Sequence, residues 1–269
     1  MKQTENQLRE IVRQKYAEIV DSSAGDCCSS SCCGESQDGG VGYSMIGEAY
    51  DGVEGYVADA DLKLGCGVPV EHAGMEPGQT VLDLGSGAGL DAFVSRRQVG
   101  DTGHVIGVDM TAGMIAKARE NSAKLGFENV EFRLGEIEHL PVVNDSVDVV
   151  ISNCVLNLVP NKKQAFSEIY RVMKPGGYFC ISDIVSSTAL PEWATEIAAA
   201  YAGCVSGAIP RTEYLEIIRE AGFRDIEIAS ERRVELPEAL LDEWLTAEQL
   251  SQAAAAEISV ISITLKAWK

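Results

Sequence analysis

The chain has 269 residues, of which 46% are hydrophobic and 23% charged, a composition typical of a folded protein with a core of ordinary size. Its formal charge of −19 would repel a phosphate backbone, so nucleic acid is not expected as a partner. No apolar run reaches the roughly 20 residues that span a bilayer, and the polar amino terminus lacks a secretory signal. We therefore expect a cytoplasmic protein with no membrane partner, whose eight cysteines are mostly thiols.

The first part of the chain combines a helical pattern with a cysteine-rich stretch. Apolar residues recur at helical spacing over residues 6–20, which predicts an amphipathic helix. Residues 21–42 are rich in Ser, Gly, Cys and Asp and have few large apolar side chains, which predicts a mobile segment. We expect a leader over residues 1–42, followed by one folded domain over residues 43–269.

From residue 76 onward, short β-rich runs alternate with helical patterns, which predicts a parallel sheet wrapped by helices. The predicted strands are 80–84, 104–108, 130–134, 147–152 and 178–184, and the predicted helices between them are 90–98, 111–125 and 161–173. Two further helices are predicted at 191–202 and 211–221. A closing pair of strands at 225–229 and 258–267 would flank a last helix at 237–256.

A glycine-rich turn follows the first predicted strand, in the order Gly85-Ser86-Gly87-Ala88-Gly89. Glycines at the carboxyl end of a parallel strand let the backbone approach a ligand closely. The dinucleotide fingerprint needs another glycine one position after Gly89, and the sequence has leucine there, so a different nucleotide-like ligand is expected. Asp109 ends the next strand about 20 residues later, where an acid can accept both hydroxyls of a ribose.

These motifs, together with residues 134–141 and 174–177, resemble the class I S-adenosylmethionine methyltransferases over nearly the whole chain after residue 76. The resemblance implies a Rossmann-like α/β fold, with a seven-stranded sheet and helices on both faces, that binds S-adenosyl-L-methionine. It places Asp83, Gly85 and Gly87 near the methionine part of the cofactor. The other implied cofactor residues are Ser86, Asp109, Met110, Glu136, Ile137 and Asn153.

Cysteines, rather than the three histidines, stand where a methyl acceptor would bind. Cys66 lies between two glycines upstream of the first strand, Cys154 follows the fourth strand, and Cys204 follows a helix that could lie over the same edge. One such cysteine alone could equally be a small packed hydrophobe, as we expect for Cys180. The three thiols together predict an acceptor that binds sulfur.

The segments around these thiols resemble those of the arsenite methyltransferases, at residues 64–67, 152–157 and 203–208 and in the cysteine-rich run 27–34. The resemblance implies that Cys66, Cys154 and Cys204 bind trivalent arsenic, as arsenite or as an arsenic–thiol conjugate. Thiolates suit this soft, thiophilic centre, and transfer by positioning needs no general base. Gly203 departs from the family, in which this position is often acidic.

The resemblance also implies a redox role for the leader, because methyl transfer formally oxidises arsenic. Enzyme cysteines would form a disulfide that an external thiol reductant, such as glutathione or thioredoxin, reduces. Cys32 or Cys33 is the expected partner of Cys66, with Cys27 and Cys28 left open as substitutes.

Two other functions remain as alternatives. A methyltransferase acting on a small organic acceptor, such as a quinone or a sterol-like molecule, would use the same cofactor turn while its cysteines only pack. A thiol-rich protein that sequesters metalloids without turnover would not bind S-adenosylmethionine, which the glycine turn and Asp109 argue against.

Overall fold

The computed structural model describes residues 4–23, 50, 52–195, 207–235, 245–255 and 258–269. Within these ranges it contains eight α-helices and seven β-strands. The helices are α1 (Glu5–Ser23), α2 (Pro69–Ala73), α3 (Leu90–Val99), α4 (Ala112–Leu125), α5 (Lys162–Val172), α6 (Glu192–Thr195), α7 (Arg211–Glu220) and α8 (Ala247–Ala255). The strands are β1 (Thr80–Leu84), β2 (His104–Asp109), β3 (Val130–Leu134), β4 (Val147–Asn153), β5 (Met173–Ser186), β6 (Arg224–Val234) and β7 (Val260–Trp268).

The strands form one sheet in the order β3-β2-β1-β4-β5-β7-β6. The first five in that order run parallel, and β7 lies antiparallel between β5 and β6. Leu84 of β1 lies opposite Val108 of β2 and Ser152 of β4, so the carboxyl ends of these strands meet at one edge. The order of the strands reverses between β1 and β4, which is where sheets of this kind bind ligands. The expected seven-stranded α/β sheet is confirmed.

Helices cover both faces of the sheet because its central strands are apolar on both sides. In β1, Val81 packs into a buried cluster with Phe93 of α3, whereas Leu82 packs into the cluster on the opposite face with Phe166 of α5 and Tyr214 of α7. Successive side chains of a strand point to opposite faces, so a strand that is apolar throughout needs cover on both.

Most boundaries agree with the predicted ones, but β6 ends at Val234, five residues after its predicted end, and β5 begins earlier than predicted for a physical reason. It begins at Met173, where a helix was expected to end, because Met173 is fully buried and pairs with Val147 of β4. The register then shifts, and pairing resumes at Tyr178 opposite Val149. The irregularity lies in the run 174–177, where the sequence pattern ended a helix and began a strand. The predicted helices at 191–202 and 237–256 lie partly outside the described residues.

Helix α1 begins one residue before and ends three residues after the predicted range, and it packs against α4. Its Val12 side chain is buried in the same apolar cluster as Cys66 and Cys154. The predicted mobile segment that follows α1 lies outside the described residues after Ser23. Among the helices that the structure describes, none has the length and apolar character needed to cross a membrane.

Candidate active site

A cavity of about 360 Å³ opens at the carboxyl ends of the central strands. The glycine turn after β1, the end of β2, the segment after β3 and the end of β4 form its walls, and α1 lies across it. All nine residues expected at the cofactor line this one cavity, namely Asp83, Gly85, Ser86, Gly87, Asp109, Met110, Glu136, Ile137 and Asn153. The fold therefore brings together a set that is spread over some 70 positions of the sequence.

The glycine turn is held against β2 and leaves backbone open to the cavity. The N–H groups of Gly85 and Ser86 donate to the Val108 carbonyl at 2.8 and 3.0 Å. A side chain at Gly85 would meet Val155, with its Cβ 2.5 Å from the nearest methyl carbon. Gly87 has a φ of +51° and no described atom within 4 Å of the place of a Cβ, so it borders open space. Its N–H donates to Asp109 Oδ2 at 3.0 Å.

Buried carboxyl groups make the cavity acidic. Burial raises the pKa of Asp83 well above its usual value, and the nearby Asp91 and Asp109 raise it further. Asp83 Oδ2 and Ser86 Oγ are buried without a hydrogen-bond partner among the described residues. Burial also raises the pKa of Asp109, although N–H groups of Thr111 and Gly87 donate to it and oppose the rise. A cationic ligand would relieve the cost of this buried negative charge.

Tyr50, Asp91 and Asn153 form a hydrogen-bonded group on the cavity wall. The Tyr50 hydroxyl donates to Asp91 Oδ1 at 2.5 Å, and Asn153 Nδ2 donates to the Tyr50 oxygen at 2.7 Å. Burial raises the pKa of Asp91 to about 6, against the opposing effect of these two donors. Neither Tyr50 nor Asp91 was among the site residues expected from the sequence. The position of Asp91 in the first turn of α3, directly after the glycine turn, was a usable signal.

Two of the predicted acceptor cysteines, Cys66 and Cys154, are buried in one apolar cluster beside the cavity. Cys66 and Cys154 are 0% and 3% exposed and belong to one apolar cluster, and Cys154 also lines the cavity. Cys154 has a φ of +59°, in the left-handed region that residues other than glycine rarely adopt. Its N–H donates to the Ser182 carbonyl of β5 at 2.8 Å. Such strain is commonly retained at functional sites.

Cys180 lies elsewhere, as expected of a core residue. It belongs to the cluster on the α3 side of the sheet, and its Sγ donates to the Pro69 carbonyl at 3.3 Å. Burial raises the pKa of its thiol to about 12. Cys180 forms no disulfide with another described residue. The other predicted cysteines, Cys204, Cys32, Cys33, Cys27 and Cys28, lie outside the described residues.

A buried hydrogen-bonded pair, Asp183 and Tyr214, lies near Cys66 and Cys154 and was not expected from the sequence. The Tyr214 hydroxyl of α7 donates to Asp183 Oδ2 of β5 at 2.8 Å. Burial raises the pKa of Asp183 to about 7, against the opposing effects of the Tyr214 hydrogen bond and the nearby Lys162. Cys66 and Cys154 lie close enough to add to the raised pKa of Tyr214.

Helix α1 is held over the cavity by ion pairs. Arg9 donates through Nε and Nη2 to the two carboxylate oxygens of Glu138, at 3.1 and 2.9 Å. Arg13 Nη2 pairs with Glu136 at 3.3 Å. Arg9, Val12 and Tyr16 line the cavity. The sequence pattern predicted this helix but gave no indication that it covers the site.

Comparison with known proteins places these features in a family. A family model described as a methyltransferase domain matches residues 75–222. An arsenite methyltransferase from Halobacterium salinarum is 49% identical over 231 residues, which are 83% of this chain and 59% of that protein. An arsenite methyltransferase from Aquipseudomonas alcaligenes is 33% identical over 245 residues, which are 88% of this chain and 68% of that protein.

A solved structure agrees with these relatives. The arsenic(III) S-adenosylmethionine methyltransferase from Chlamydomonas reinhardtii matches with a TM-score of 0.66 and 36% identity, over 76% of this chain and 67% of that one. The chain spans 59% of the length of the Halobacterium protein. The match to the family model, the identities and the shared fold together show that the chain belongs to the arsenite methyltransferase family of S-adenosylmethionine-dependent methyltransferases.

Proposed function

We propose that this protein transfers a methyl group from S-adenosylmethionine to trivalent arsenic held by cysteine thiolates, and so serves arsenic detoxification. The observation that carries the proposal is the burial of Cys66 and Cys154 in one cluster at the edge of an acidic cavity. The family membership supports it, because the relatives named above are arsenite methyltransferases.

The residues present fit the cofactor. S-adenosylmethionine carries a sulfonium and an ammonium group, and the unpartnered Asp83 Oδ2 offers buried negative charge to such cations. Because Gly87 has no side chain, open space remains in which the cofactor can approach the backbone. We assign Asp109 to the ribose hydroxyls. Ser86 and Asn153, together with Gly85, Met110, Glu136 and Ile137, complete the proposed contacts. When bound, the cofactor supplies an electrophilic methyl group.

The protein's part in the transfer is to position arsenic and exclude water. Cys66 and Cys154, with Cys204 as the proposed third ligand, would bind arsenic through three sulfur atoms and leave its lone pair directed at the cavity. Helix α1 and the surrounding apolar cluster shield this place from solvent. Arsenic keeps its own electron pair as the nucleophile, so no general base is needed.

The transfer raises arsenic from the trivalent to the pentavalent state, so two electrons must return to it. We assign them to enzyme sulfurs: the thiolate of Cys32 or Cys33, after losing its proton, would attack the Cys66 sulfur that holds arsenic, and the bond between that sulfur and arsenic would break. The electron pair of that bond would stay on arsenic, which returns to the trivalent state, while Cys66 and the attacking cysteine form a disulfide. An external thiol such as glutathione or thioredoxin would then reduce that disulfide by exchange. We propose a cytoplasmic location, because a reducing cytoplasm supplies the external thiols that this exchange needs.

The test is methyl transfer in vitro with cysteine variants. Purified protein, methyl-labelled S-adenosylmethionine, glutathione and arsenite should yield labelled methylarsenicals, separated by chromatography. Cys66→Ser and Cys154→Ser should each lower the rate at least about 100-fold while sinefungin, a non-reactive analogue of the cofactor, still binds. Cys180→Ser is the matched control and should retain the rate, because Cys180 packs in a different cluster.

The same assay separates the competing functions. Full arsenite methylation by Cys154→Ser would contradict the proposed role of the thiols, whereas a wild-type protein that binds sinefungin but yields no labelled arsenical would favour a small organic acceptor. Failure of the wild-type protein to bind sinefungin in calorimetry would instead favour sequestration without turnover.

A further inference from the structure

One side chain joins the wall of the cofactor cavity to the loop that carries Cys66. Asn153 Oδ1 accepts hydrogen bonds from the backbone N–H groups of Cys66 and Gly67, at 3.0 and 3.3 Å. Its Nδ2 donates to the Gly67 carbonyl at 2.8 Å and to the Tyr50 oxygen at 2.7 Å. Asp91 Oδ2 lies 3.3 Å from the same nitrogen. The Asn153 amide therefore contacts both the loop that carries Cys66 and the Tyr50–Asp91 pair. Its oxygen accepts from N–H groups and its nitrogen donates to oxygen atoms, as the chemistry of an amide requires.

The loop is pressed against this amide. A Cβ placed on Gly65 would lie 2.6 Å from Asn153 Nδ2, and one placed on Gly67 would lie 2.7 Å from Ser182 Oγ. The Cys66 carbonyl accepts a hydrogen bond from Ser262 Oγ at 2.7 Å. The position of the Cys66 thiol is thus tied to Asn153 on one side and to strands β5 and β7 on the other.

A ligand in the cavity would change the hydrogen bonds among Tyr50, Asp91 and Asn153, because these residues face the cavity. Tyr50, Asp91 and Asn153 all line the cavity. Asp91 also adds to the raised pKa of Asp83, so the two buried carboxyl groups interact. A cation bound beside them would favour their ionised forms and strengthen the hydrogen bonds that they accept. Asn153 shares those acceptors and would transmit the change to the Cys66 loop.

We propose that Asn153 is a positioning residue that couples occupancy of the cofactor cavity to the order of the Cys66 loop. Cofactor binding fixes the loop, and an ordered loop in turn tightens cofactor binding, because coupling between two sites is reciprocal. Couplings of this kind commonly amount to about 5- to 150-fold in affinity. The consequence for arsenic rests on the function proposed above, whereas the coupling itself rests only on the contacts of Asn153.

Alkylation of Cys66 measures the order of the loop without requiring catalysis. Because Cys66 is fully buried, iodoacetamide reaches it only when the loop opens. Peptide mass spectrometry would follow Cys66, with Cys180 in the same sample as a buried reference in a different apolar cluster. In the wild-type protein we expect saturating sinefungin to slow the alkylation of Cys66 at least about 5-fold, the lower end of common couplings.

We define the protection ratio as the rate of Cys66 alkylation without sinefungin divided by the rate with saturating sinefungin. Asn153→Ala should change this ratio and not only the rate without ligand. We expect Cys66 to react about 10-fold faster without ligand, and saturating sinefungin to leave that rate within about 2-fold. A merely structural role would raise both rates equally and preserve the protection ratio. Asn129→Ala is the matched control, since Asn129 donates to the carbonyls of Gly100 and Gly103 away from the cavity, and its protection ratio should equal that of the wild type.

Protection of Cys66 that persists in folded Asn153→Ala would overturn the proposal. If that variant does not fold, Tyr50→Phe decides, because it removes the two short hydrogen bonds that join Asn153 to Asp91 through the Tyr50 hydroxyl and leaves only their direct 3.3 Å contact. Reduced protection in Tyr50→Phe would support the coupling, and wild-type protection would overturn it. The fate of the arsenic function is read separately, since absence of arsenite methylation with intact, Asn153-dependent protection would defeat that function and leave the coupling standing.

Discussion

Arg9 of helix α1 holds Glu138 through two hydrogen bonds, and the Glu138 side chain is only 4% exposed. The two residues are 129 positions apart, so this pair closes a long-range contact across the cofactor cavity. The Asn161 N–H also donates to Glu138, at 3.2 Å. Arg9 is therefore the cation that offsets a buried negative charge at the wall of the site.

Replacing Arg9 by alanine should destabilise the protein and weaken cofactor binding. The change leaves Glu138 buried without its cation, which we expect to cost up to about 3 kcal/mol in the free energy of unfolding, because the Asn161 hydrogen bond remains. Release of α1 from the cavity should raise the Kd for sinefungin about 10-fold, which corresponds to a loss of about 1.4 kcal/mol in binding free energy. Urea denaturation and calorimetry measure the two effects.

Arg13→Ala is the control on the same helix. Its partner Glu136 is 37% exposed and Arg13 itself 42%, so the loss should stay below about 1 kcal/mol. Equal losses for the two variants would show that the Arg9 pair has no special role in holding α1.

A substitution in the glycine turn should affect cofactor binding much more than it affects stability. Gly87→Ala places a methyl group in open cavity, so stability should fall by only about 1 to 2 kcal/mol, the cost of a positive φ in a residue with a Cβ. The same methyl group would occupy space next to the backbone that we assign to the cofactor. Binding of sinefungin should therefore weaken at least about 30-fold, or about 2 kcal/mol.

Gly126→Ala matches this change away from the site. Gly126 has a φ of +68°, in the left-handed region, with no described atom within 4 Å of a Cβ, and it follows α4 outside the cavity. A similar loss of stability with unchanged sinefungin binding is expected. If both variants lost binding equally, the effect of Gly87→Ala would come from the backbone and not from blocked space.

The sequence predicts the parts of the site that depend on local pattern. The glycine turn and Asp109 lie at strand ends, and alternation fixes those ends to within a residue or two, as it did for β1 and β2. Tyr50 and Arg9 were missed because nothing in their neighbourhood shows what they face. Their roles come from packing of distant segments, since Arg9 meets a residue 129 positions away and Tyr50 one that is 103 away.

The stability of the protein should fall as pH rises through the weakly acidic range. The pKa of Asp183 is raised to about 7 and that of Asp91 to about 6, from about 3.9 in an unfolded chain. Between pH 4 and 7 the unfolded state releases protons that the folded state keeps, so rising pH favours unfolding. For Asp183 alone the change is on the order of 3 to 4 kcal/mol.

Variants at Asp183 and Tyr214 isolate this contribution. Asp183→Asn cannot ionise, so the decline in the free energy of unfolding between pH 5 and pH 7.5 should become shallower. Tyr214→Phe removes the donor that favours the ionised carboxylate, so the pKa of Asp183 should rise further and its decline should extend to higher pH. Urea titrations across this range measure both, and parallel profiles for all three proteins would exclude Asp183 as the source.

The positive φ of Cys154 can be tested as strain. Alanine at this position keeps the cost of a left-handed backbone, whereas glycine removes about 1 to 2 kcal/mol of it and gives up about 0.8 kcal/mol from one buried methyl group. Cys154→Gly should therefore be at least as stable as Cys154→Ala, although glycine fills less of the buried space.

The opposite order is expected at Cys180, which lies inside β5 with an ordinary extended backbone. There glycine loses both the methyl group and about 0.5 to 1 kcal/mol of strand stability, so Cys180→Gly should be less stable than Cys180→Ala by about 1 to 2 kcal/mol. Urea denaturation of the four variants gives the comparison. If glycine proved worse than alanine by the same amount at both positions, the Cys154 backbone would store no strain. A reversal at Cys154 alone would show that the fold carries a local cost where the thiol meets the cavity, as functional positions commonly do.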